Sequence, residues 1–84
     1  MAAEMGDSVG QMGLAGAYYE GKGVPQDYVQ AHAWFNVLAS QGHGPGLKYR
    51  DIVATKMTPD QIADAQKLSR DIFDRIEKRK KLIR

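Results

Sequence analysis

The sequence predicts an all-α protein. Glycine- and proline-rich clusters at 21–25 and 42–46, with a helix-start signal at Thr58, divide the chain into four stretches. Within those stretches apolar residues recur at spacings of three and four, the period of a helix face. No stretch alternates apolar and polar residues for long enough to read as a strand.

The four helices are expected at 8–20, 27–41, 47–56 and 59–79. The first is the weakest, because it carries Gly10, Gly13 and Gly16, and each mid-helix glycine costs about 1 kcal/mol against alanine. Such a helix is expected either to pack closely on a neighbour at those glycines or to be a drifted or frayed element. The second opens near Asp27, a helix-capping residue with Gln30 three positions on. Its expected core face is Tyr28, Ala31, Trp34, Phe35, Leu38 and Ala39. In the fourth, Thr58 is the N-cap, Pro59 suits the first helical position, and Gln61 can reach back to close a capping box. Its expected core stripe is Ile62, Ala65, Leu68, Ile72, Phe73 and Ile76. Lys67–Asp71, Arg70–Asp74, Asp74–Lys78 and Glu77–Lys81 stand at i,i+4 on the remaining surface, where each pair adds a few tenths of a kcal/mol.

Size and composition narrow the function classes. The 84 residues, 43% hydrophobic and 26% charged, fit one ordinary globular domain, 1–84, too small for separate cofactor and substrate domains. A core of this size contributes about 3–5 kcal/mol, which favours sharing it with a second chain. There is no cysteine, hence no disulfide framework or thiol nucleophile. Mean hydropathy is -0.48, and no apolar run approaches the ~20 residues of a membrane span. The start, Met-Ala-Ala-Glu, lacks the basic and apolar regions of a signal peptide. The expected location is cytoplasmic if Met1 is the natural start, and periplasmic or secreted if a leader has been removed. Charge is segregated: 75–84 holds six Lys or Arg against Glu77, a net +5, and the rest of the chain is net −3.

Leu14, Tyr18, Gly21, Gly23-Val24, Asp27, Ala31, Trp34-Phe35, Ala39 and Gly42 fall in a specific order and spacing. At these positions the sequence resembles a Sel-one-like repeat, a family related to the tetratricopeptide repeats. The match covers 7–42, and the stretch from Arg50-Asp51 through Met57–Ala63 resembles the region that often closes such arrays. The resemblance implies a tetratricopeptide-like α-α superhelix of antiparallel helix–turn–helix units with a C-terminal helical cap. In it, 7–42 would be one repeat, 43–78 a closing helix pair and 79–84 a basic tail. It also implies a non-catalytic adaptor or scaffold that binds other proteins, of a kind common in bacteria. Three positions depart from the family pattern: Gly10 stands where alanine is usual, Ala15 where glycine is usual, and Leu38 where alanine is usual. The extra bulk of Leu38 has to be housed somewhere.

A shift by the family's ~36 residues sets Leu14 on Arg50, Tyr18 on Ala54 and Trp34 on Arg70, so no second copy of the repeat is present, while stacking normally needs roughly three. Self-association as a homodimer through the first helix is therefore expected, unless the chain is the closing piece of a longer array.

Nothing in the sequence points to catalysis. His32 and His43 have no ligand-spaced neighbours. They read as a partly exposed filler on a helix and a residue in a glycine/proline turn. Gly42-x-Gly44-x-Gly46 lacks the strand and spacing of a dinucleotide fingerprint, and Gly21-Lys22-Gly23 lacks that of a phosphate loop. Asp60 and Asp64 lie in the first turns of a helix, where the macrodipole favours acids. No catalytic, cofactor-binding or metal-binding residue and no cofactor are predicted. The partner-binding candidates are Val9, Met12, Gly16 and Tyr19, a second stripe on the first helix, distinct from Leu14–Tyr18. A helix apolar on two faces contacts two things. The second contact is then another part of this chain, a dimer partner or a partner peptide. The alternative function is nucleic-acid binding through the basic tail. Arg79-Lys80-Lys81 with Arg84 could meet phosphates or an anionic membrane surface, or could form only a solubilising, frayed helix end. The tail has no interleaved aromatics to stack on bases, so nucleic acid is the less expected partner.

Overall fold

The computed structural model describes residues 7–83, and side chains from Asp7 to Lys81; Arg84 and the first six residues lie outside. Four helices follow one another: α1 (Ser8–Glu20), α2 (Tyr28–Ser40), α3 (Gly44–Ala54) and α4 (Pro59–Ile83). Among the described residues there is no strand, as the sequence predicts.

The boundaries follow from local chemistry. Asp7 caps α1 by accepting from the Val9 N–H at 2.9 Å. α1 ends at Gly21, whose φ of 72° is left-handed, and the Gly21 and Lys22 N–H groups both donate to the Ala17 carbonyl at 2.7 and 3.0 Å. Asp27 caps α2 by accepting from the Gln30 N–H at 3.2 Å. At the start of α4 the capping box is closed in both directions: the Thr58 N–H donates to Gln61 Oε1 at 2.9 Å, and the Gln61 N–H donates to Thr58 Oγ1 at 3.1 Å. α4 continues to Ile83, four residues beyond the expected end.

α3 differs from expectation. Gly44-Pro45-Gly46 is not a turn but the first turn of the helix. His43 makes this possible, because its Nδ1 accepts from the Gly46 N–H at 3.0 Å and so works as an N-cap. Pro45, with no N–H, costs nothing at a helix start.

α2 is the hub. α1, α3 and α4 each pack against it and barely touch one another. Its residues Ala31 to Phe35 are all buried, as are Val37 and Leu38, so it is covered all round, which a single amphipathic stripe does not predict. The core adds Ala15 from α1, Val53 from α3 and Ile72 and Ile76 from α4. Leu38 is fully buried in the core, and a β-carbon on Gly46 would lie 2.5 Å from its Cβ, so the missing side chain lets α3 meet α2. A polar chain ties three helices together. Arg50 Nη1 donates to Asn36 Oδ1, and Asn36 Nδ2 donates to Ser69 Oγ, each at 2.9 Å.

Several expectations are corrected. His32 is buried, not partly exposed, because α2 is enclosed on every side. Phe73 is 36% exposed and sits on the shoulder of the α4 stripe rather than in the core. Gly13 and Gly16 do not mark a close approach within this chain, since a β-carbon on either would meet nothing within 4 Å. None of the four i,i+4 pairs of α4 closes to an ion pair; those found among the described residues are Lys22–Glu20 and Arg50–Asp51. At exposed positions the entropy of holding two long side chains offsets the attraction.

Candidate functional site

Because α1 and α3 lean on α2 without closing on each other, a cleft opens between them. It has a volume of about 680 Å³. Met12, Gly13, Gly16 and Tyr19 of α1 form one wall, Tyr49 of α3 contributes the other, and Phe35 of α2 lies at the floor. Phe35 and Tyr49 stack with ring centroids 5.6 Å apart. Tyr19 leans on Tyr28 at 5.9 Å, and its carbonyl accepts from Gln26 Nε2 at 2.8 Å. Of these rings Phe35 is buried, Tyr19 is half-buried and Tyr49 is exposed. The exposed Glu20–Lys22 pair, 3.2 Å apart, lies at the rim.

Three of the four candidate residues of the second stripe line this cleft. Met12 and Tyr19 are half-buried and pack against the core on one side; Gly16 leaves a gap in the wall. Val9 does not line the cleft and stands 79% exposed at the start of α1. The motif residues sit behind. Ala31 and Trp34 are buried, Leu14 and Tyr18 pack partly buried against the core, and Ala39 is half-buried. Gly21, Gly23 and Gly42 all take positive φ. At Gly21 a β-carbon would also press on Gln26 Cβ at 3.2 Å, where the turn brings Asp27 N–H onto the Tyr18 carbonyl at 2.9 Å.

Sequence reasoning missed Tyr49, which lies on a short helix with no clear apolar period. The signal available was its place on the third helix, beyond a glycine that lets that helix approach α2. A smaller cleft of about 310 Å³ lies between α2 and α4, beside Val37, Ser40 and Phe73.

Neither histidine is placed for catalysis. His43 is committed to capping α3. His32 is buried with Nδ1 unpartnered; burial holds its pKa below the usual value, the Arg50 charge lowers it further, and Asp51 partly opposes the shift. Among the described residues no three His, Cys, Asp or Glu side chains converge as a metal site. No described helix is long and apolar enough to cross a membrane.

The chain is similar to a crystal structure of c5321, described as a protective antigen present in uropathogenic Escherichia coli strains displaying an SLR fold. The two are 36% identical with a TM-score of 0.82, over 96% of this chain. The chain spans 19% of the length of that protein. No family model matches the chain, and neither does any curated protein sequence.

Proposed function

Because this chain has the Sel-one-like repeat fold, we propose that it is a protein–protein interaction module, a scaffold or adaptor without turnover of its own, whose α1–α3 cleft receives a segment of a partner protein. One observation carries this reading: an apolar cleft with an aromatic floor and wall, built on helices and left open by the glycines of α1. A rigid ring such as Tyr19 and an adaptable thioether such as Met12 suit recognition at low entropic cost. The test is selection of ligands from a displayed random-peptide library, followed by titration of the best peptide against the wild-type chain and a Met12→Gln/Tyr19→Ser variant. The variant is expected to keep its helical circular dichroism and to bind at least about tenfold more weakly. Equal binding by the variant moves the docking surface elsewhere, and loss of helicity shows that the two residues serve the core instead.

A second reading, a homodimer formed through α1, is favoured by Val9, which is exposed outside the cleft, and by the bare helix surface at Gly13 and Gly16. Light scattering at some tens of micromolar is expected to give twice the monomer mass of 9.3 kDa. Val9→Glu is expected to return the monomer. A wild-type monomer at that concentration removes the dimer and leaves the cleft untouched.

A further inference from the structure

The distal part of α4 is used neither by the core nor by the cleft. Among the described side chains Ile76 is the last in the core, and those after it, from Glu77 to Lys81, are all exposed. The helix is nevertheless unbroken to Ile83, so from Ile76 to Lys81 about 7 Å of rod extends past that contact. Residues 75–81 hold five cations and one acid, whereas 7–74 hold six cations and eight acids. Charge is therefore separated along the long axis of the molecule, with Asp60 and Asp64 near the opposite end of the same helix.

Two features give this end a definite partner chemistry. First, Arg75, Lys78, Lys80 and Lys81 make no ion pair with any described residue. The helix dipole accounts only for Lys80 and Lys81 in the last turn, not for Arg75 and Lys78. Secondly, at about 100° per residue the five cations encircle the helix, with no gap wider than about 100°. A flat anionic surface would engage only one side of such a rod. A groove walled by phosphates on both sides engages its flanks together. The major groove of B-form DNA, about 12 Å wide, admits a helix of about 10–12 Å diameter, whereas the major groove of duplex RNA is too deep and narrow for side chains to read.

We propose that the basic end of α4 docks in the major groove of duplex DNA, contacting phosphates of both strands without reading sequence. The acidic body is then held away from the duplex, and docking is end-on. This site is separate from the α1–α3 cleft, so the two stand or fall independently.

The test is fluorescence anisotropy of a labelled random-sequence duplex of about 20 base pairs, titrated with the full chain at several salt concentrations. With four phosphates engaged, affinity is expected to fall about a hundredfold between about 50 and about 200 mM salt. Lys78→Gln/Lys80→Gln/Lys81→Gln is expected to bind weakly, with less than about a tenfold fall over the same range. The matching Lys→Arg triple variant should behave like wild type. Circular dichroism of each variant is expected to be unchanged, since the substituted side chains are exposed. No binding at the lowest salt, or an undiminished salt dependence in the Gln variant, overturns the proposal. So does binding to phosphatidylglycerol vesicles that equals or exceeds binding to the duplex.

Discussion

Gly46 at the start of α3 and Gly16 in the middle of α1 are both helical glycines, yet a β-carbon at Gly46 would press on Leu38 whereas one at Gly16 would meet nothing within 4 Å. The first absence is explained inside the chain: it lets α3 come down on α2. The second has no internal explanation. A helix that carries the cost of glycine where nothing of its own approaches leaves bare backbone there, the surface that the proposed docking would use. The comparison separates residues that hold the fold from residues the fold leaves available, and the latter lie along the cleft.

The strongest way to break the comparison is on its buried side. Leu38→Ala is expected to destabilise by about 2–5 kcal/mol, by lost transfer energy plus the cavity left behind, measured by thermal or denaturant unfolding. Gly46→Ala comes next, at about 1–3 kcal/mol, because the overpacked methyl meets Leu38 Cβ and the α2 backbone. Combined, the two changes should cost about their sum, since alanine at 38 keeps the β-carbon that the new methyl meets. A combined cost well below the sum would show that the strain falls on the leucine beyond its β-carbon.

On the open side the sign reverses. Gly13→Ala and Gly16→Ala should each stabilise the free chain by up to about 1 kcal/mol, while weakening whatever binds the cleft or the α1 surface. Destabilisation by either would mean that α1 is packed more tightly than the cleft allows. The smallest effect is that of His32. Its folded pKa lies below the ordinary 6.5, so the unfolded chain takes up the proton first. Stability is therefore full above pH about 6.5 and declines as pH falls through the folded value. Melting temperatures across pH 5 to 8 should show this decline, about that of one group, and His32→Gln should remove it.

How far all this was legible depends on the range of the interaction. Local chemistry was readable: the Thr58–Gln61 capping box, the Asp27 cap and the left-handed glycine at 21 depend on residues a few positions apart, and the structure has them in place. The all-α fold follows from the same punctuation. The start of α3 was misread because Gly-Pro-Gly has the composition of a turn, and histidine is an unusual cap. Periodicity marks most of the α4 stripe but not its edge: it places Phe73 inside, although one shoulder of that stripe has no cover. The cleft was half legible. Met12, Gly16 and Tyr19 share a helix face, and that is a local fact. That Tyr49 stands opposite them is set by the tilt of α3 over Gly46, which no spacing rule encodes.

The hub arrangement has a consequence for motion. Since α1 rests on α2 and barely on α3 or α4, it can peel away without disturbing the rest of the molecule, and the amides of α1 should exchange with deuterium well before those of α2, which can open only when everything does. The helix that carries most of the cleft is thus held by one interface, as α3 and α4 are, and any occupant bridging α1 to Tyr49 would supply a second, slowing that exchange in proportion to how tightly it sits.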